Sequence, residues 1–102
     1  MDEVLTDSTY LILLALLKPQ HGYAIMKEVS ILTNGQVEIG PASMYTILKK
    51  LQNNGLITLE ESYERKKTYL ITVKGRNSLK KDVERRKMLY QAGSRLLAEK
   101  GE

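Results

Sequence analysis

Two short stretches hold most of the groups in this chain that can do chemistry: Ala42 to Asn53, and Arg65 to Lys67. In the first, Met44, Ile47, Leu48 and Leu51 recur at the spacing of one helix face. With that face inward, steps of about 100° per residue turn Ala42, Ser43, Thr46, Lys49, Lys50 and Asn53 outward, with Tyr45 on the flank. Such a surface combines small residues that permit close approach, hydroxyl and amide groups that read base edges, and lysines suited to phosphates or guanine. The free N–H groups of a helix start opened by Gly40-Pro41 can also hold a phosphate. Arg65, Lys66 and Lys67 would meet a nucleic-acid backbone or the adjacent minor groove, adding affinity that falls with salt. For Tyr23 and Tyr45, phosphate contact and half-buried packing both remain open.

Catalysis has little to draw on. The chain has no cysteine and one histidine, His21, which reads as a structural hydrogen-bonding group at a turn. The acidic residues are scattered and no glycine loop cradles a phosphate, so no enzyme, cofactor or metal is expected.

The elements that must carry these stretches follow from pattern. Tyr10 to Leu17 is apolar on every side and predicts a buried helix ended by Lys18-Pro19. A second helix starts near His21-Gly22, buries Ile25, Val29 and Leu32, and closes at Asn34-Gly35. A short strand is expected at Val37 to Ile39. The third helix starts at Pro41, and Gly55 with Leu56 predicts a Schellman ending that returns to Leu51. Alternation from Ile57 to Glu60 and from Thr68 to Val73 predicts a hairpin, with Glu61 to Lys67 as a long, mobile, basic tip. Thr72 is the expected N-cap of a last helix from about Val73 to about Glu99, roughly 40 Å long.

That helix carries a narrow stripe of Leu79, Val83, Tyr90 and Leu97, with Leu89 and Leu96 beside it. The first helices look too short to cover the stripe, so the same helix of a second copy is its expected partner. Folding back onto its own domain is the alternative, and Tyr90 as the wall of a ligand pocket is another. The expected fold is therefore mainly α with a small β-hairpin: a winged helix-turn-helix over residues 1–72, plus a dimerisation helix over 73–102, in one compact unit.

Charge agrees with a polyanion partner. Residues 1–48 hold two basic and five acidic groups, whereas residues 49–102 hold fourteen basic and seven acidic. Over residues 80–87, a solvated helix face explains the charge equally well. The longest apolar run is far short of the ~20 residues that cross a membrane, and no signal peptide is evident, so a cytoplasmic protein without membrane contact is expected.

The runs Leu14 to Ile25, Gly40-Pro-Ala-Ser-Met-Tyr45 continuing through Lys49 to Ile57, and Tyr69 to Gly75 together resemble the PadR family of bacterial transcriptional regulators. The resemblance spans nearly the whole chain and points to the short, PadR-like subgroup. It implies a homodimer on a palindromic operator of double-stranded DNA, usually as a repressor, often released by a small aromatic effector between the subunits. Ser43, Tyr45 and Tyr23 fall on the family's signature positions. Ala42 and Met44 depart from its usual residues, which bears on base preference, and the chain has no tryptophan for an effector to stack on. The rival reading is a winged-helix module that binds protein instead of DNA; it would not need Lys49, Lys50 and Arg65 to Lys67 on one side.

Overall fold

A computed structural model describes residues 4–102, so the first three residues of the expected winged-helix region lie outside it. The order is α1 (Asp7–Ala15), α2 (Gly22–Leu32), α3 (Pro41–Asn53), β1 (Ile57–Glu61), β2 (Lys67–Ile71) and α4 (Val73–Glu99). Ile12, Leu13 and Leu16 of α1 and its C-cap form the centre of the core. Around them pack Ile25 and Val29 of α2, Met44, Leu48 and Leu51 of α3, and Ile57 and Tyr69 of the hairpin. α1 starts before the apolar run because Thr6 caps it, its hydroxyl accepting from the Thr9 N–H at 3.2 Å.

Chain reversals match their local chemistry. Gly55 sits at φ 74°, the Leu56 N–H reaches the Leu51 carbonyl at 2.9 Å and the Gly55 N–H reaches Gln52 at 3.1 Å, which completes the Schellman pattern. Thr72 caps α4 through the Gly75 N–H at 3.0 Å. Leu32, by contrast, is 48% exposed, and the half-buried Met26 joins the core from α2 in its place.

No strand forms at Val37 to Ile39. The Thr33 hydroxyl takes the Val37 N–H at 3.0 Å and contacts the Val37 carbonyl at 3.3 Å, so a side chain satisfies the backbone that a ladder would have paired. The sheet is the antiparallel pair β1-β2, in register Leu59 to Tyr69, and Gln20 adds a single bridge on the free side of Tyr69.

The first half of α4 belongs to the body. A Cβ on Gly75 would collide with the Leu56 carbonyl and lie 2.8 Å from Ile71, so only glycine lets α4 leave the hairpin at this angle. Leu79, expected on the stripe for a second copy, is 4% exposed and part of the core. Its position is corrected accordingly: an α4 residue one turn past Gly75 is still over the body and is covered by it.

Candidate nucleic-acid interface

α3 presents Ala42, Ser43, Thr46, Lys49, Lys50 and Asn53 to solvent, while Met44, Leu48 and Leu51 on the opposite face are buried. Neither Lys49 nor Lys50 forms an ion pair among the described residues, so both ammonium groups are available to an external anion. Thr46 differs from expectation. Its hydroxyl donates to the Ala42 carbonyl at 2.9 Å, which engages its proton within the helix and leaves only an acceptor for a partner.

Tyr45 leans across the start of α2. Its phenol packs so closely on Gly22 that any side chain there would meet it. The Tyr69 hydroxyl on β2 is pushed above its ordinary pKa, first by burial and then by the neighbouring Tyr45. Tyr45 is therefore half packing residue and half surface group, and it joins α3, α2 and the hairpin at one point. Tyr23, one residue beyond Gly22, is freely exposed beside that junction.

His21 fastens the hairpin to the same place. Its Nδ1 lies 2.9 Å from the Lys67 carbonyl, so this nitrogen carries the proton and donates. The sequence suggests a local role for this ring at its turn, but the bond spans 46 positions along the chain. A single histidine before a helix carries no signal for such a distant partner.

The hairpin tip is more ordered than a long mobile loop. The Arg65 N–H donates to the Ser62 carbonyl at 2.9 Å, the Ser62 N–H donates to Lys66 at 3.0 Å, and the Ser62 hydroxyl accepts from the Lys66 N–H at 3.3 Å. Arg65 takes the left-handed conformation, φ 61°, that closes a three-residue hairpin loop with a bulge. Lys67 is not at the tip as expected: it opens β2 opposite Glu61, because the ladder extends one residue further on each strand than the alternation indicates. Arg65 and Lys66 remain at the tip, with Lys66 3.8 Å from Glu64. Tyr63 stands beside them almost fully exposed. A lone aromatic among charged residues was the available signal for it.

Part of the charge along residues 80–87 is structural. Asp82, 4% exposed, accepts from Arg86 at 2.6 Å, Arg85 at 3.0 Å and the Leu5 N–H at 3.4 Å. Arg86 also binds Asp7 at 2.7 Å and stacks on the Tyr10 ring at 4.1 Å. Burial alone would raise the Asp82 carboxyl, but Arg86, Arg85 and the Leu5 N–H outweigh it and hold the pKa below the usual carboxylate range. Arg86, together with the Asp82–Leu5 bond, clamps α4 to the start of α1, while Arg85 neutralises Asp82 from within α4.

Beyond Arg86, α4 leaves the body. Val83 is at its margin, and Leu89, Tyr90, Leu96 and Leu97 are exposed, as is Met88 on another side of the helix. Behind α3, a cleft of about 450 Å³ opens towards Lys50 and Lys74 over a floor of Leu51 and Leu56. Among the described residues there is no metal-ligating cluster, and no helix is long and apolar enough to cross a membrane.

Comparison with known proteins gives the same architecture. A transcriptional regulator from Clostridium thermocellum superposes with a TM-score of 0.77 at 23% identity, covering 90% of this chain and 97% of its own. A winged-helix DNA-binding protein, F93 from STIV, gives 0.70 at 18% identity over 80% of this chain and 89% of its own. A PadR family transcription regulator from Clostridium difficile R20291 gives 0.77 at 24% identity, covering 87% and 96% respectively. Among curated proteins nothing matches. The family model for the transcriptional regulator PadR-like family matches residues 11–81.

Proposed function

Because this chain belongs to the PadR-like family of transcriptional regulators, we propose that it binds double-stranded DNA sequence-specifically as a homodimer and represses transcription from a palindromic operator. One observation carries the reading: Ser43, Lys49, Lys50 and Asn53 form an exposed polar face on α3 without an ion pair among the described residues, beside a hairpin with a cationic tip whose second strand His21 ties to the start of α2. Tyr23, Ala42 and Tyr45 border the face, and Arg65, Lys66 and Lys67 extend it along the duplex. α3 would lie in the major groove and the tip beside the neighbouring minor groove, with phosphate contacts positioning the protein and α3 side chains choosing bases.

The homodimer rests on the outer half of α4. Val83, Leu89, Tyr90, Leu96 and Leu97 form an apolar surface that a two-fold related copy of the helix would bury. Two-fold symmetry in the protein then asks for two-fold symmetry in the operator. A small aromatic effector bound beside Tyr90 would loosen this pairing and release the DNA. Such a regulator works where bacterial DNA is, in the cytoplasm.

The test is DNA binding measured by fluorescence polarisation over a salt series. The wild type should show a steep negative slope of log affinity against log salt. Lys49→Glu combined with Lys50→Glu should abolish binding while circular dichroism and light scattering stay unchanged. Affinity that ignores salt, or survives the double substitution, would move the assignment to the protein-binding alternative.

A further inference from the structure

The hairpin tip carries two features that charge alone does not account for. Tyr63 is 96% exposed, so its ring makes almost no contact within the chain, although the turn beneath it is held by three hydrogen bonds through Ser62. Arg65 holds a left-handed backbone, φ 61°, that a non-glycine residue adopts only under strain. Glycine would occupy that position without strain, yet the chain keeps a guanidinium there. The one acid between Ser62 and Lys66 is Glu64, and Lys66 lies against it; Arg65, like Lys49 and Lys50, forms no ion pair among the described residues.

An aromatic ring on an ordered, cationic tip is an amphipathic anchor. Its flat face suits sugars and base edges, and its hydroxyl suits a phosphate. We propose that Tyr63 enters the minor groove beside the α3 site and packs against deoxyribose and base edges, while Arg65 reads the narrow groove of an A·T-rich flank. The groove is about 6 Å wide, which admits a ring edge-on, and its negative potential deepens where A·T pairs narrow it. Tyr63 thus adds non-ionic affinity, and Arg65 adds preference for the flanking sequence. This inference rests on the DNA-binding reading above, and the experiment separates the two.

The chain has no tryptophan, so Tyr63→Trp installs a single fluorophore at the tip. Its emission and its iodide quenching are measured with and without a duplex whose flank is A·T-rich, and again with a G·C-rich flank. Quenched emission and protection from iodide on the first duplex support the inference. In parallel, Tyr63→Ala should weaken binding by about tenfold with an unaltered salt slope, as expected for a lost stacking contact. Arg65→Gln should lower that slope by about one and erase the difference between flanks. An indole at the tip that stays open to iodide on saturated DNA overturns the proposal while leaving DNA binding intact, as does equal affinity of the wild type for both flanks. Failure of the wild type to bind either duplex in a salt-dependent way would instead remove the function on which it rests.

Discussion

The two halves of α4 have the same helical backbone and opposite surroundings. From Val73 to Arg86 the helix is seated: Gly75 touches the hairpin backbone, Leu79 fills the core, and Asp82 with Arg86 grips the start of α1. From Lys87 to Glu99 none of the described residues covers it, and Tyr90 and Leu97 are 74% and 54% exposed. Apolar content is therefore a poor guide to which half is core. What decides is how far the helix has travelled from the body when each side chain appears.

Paired substitutions test that contrast, and the largest effect belongs to Leu79. Leu79→Glu buries a charge with no partner, which should take most of the stability of a domain this small and abolish cooperative melting by circular dichroism. Tyr90→Glu on the outer half should keep the melting of the monomer and shift the light-scattering mass from dimer to monomer. If both variants merely dissociate, Leu79 lies in the seam and the division of α4 is wrong.

Next comes Asp82→Ala, which leaves two partly buried arginines facing each other and should cost about 3 kcal/mol in urea unfolding near neutral pH. The carboxyl of Asp82 is held below its unfolded value, so its contribution is complete above about pH 4 and fades as pH falls through the lower native value. The gap between wild type and variant should close with acid over that window. A gap independent of pH would show that the carboxylate charge is not what grips α1.

The smallest effects come from the two glycines of α4. Gly75→Ala gains helix propensity but must displace backbone at Leu56, for a net loss of about 2 kcal/mol. At Gly93 an added Cβ meets nothing within 4 Å, so Gly93→Ala should stabilise the isolated helix by up to about 1 kcal/mol. Should Gly93→Ala instead weaken assembly, the partner helix approaches closely there.

Much of this was legible in the chain. Periodicity located the four helices, Gly55 and Leu56 announced the ending of α3, Thr72 announced the start of α4, and the outward set on α3 is exposed as the 100° rule places it. What could not be read rests on contacts between distant positions. Thr33 satisfied the backbone at Val37 and removed a strand. His21 bonded to Lys67 across the fold, and the Thr46 hydroxyl turned inward to its own helix. Arg85 and Arg86 looked like more of the basic surface, but they bind Asp82.

The order of residues alone determined the helix faces, the caps and the concentration of positive charge in the second half, because each depends on neighbours a few positions apart. Tertiary structure alone decided which apolar residues of α4 are core, which cations are already paired and where the hairpin is anchored. Those outcomes depend on distances through space between groups far apart in sequence, and burial fixes both their strength and their availability to a partner.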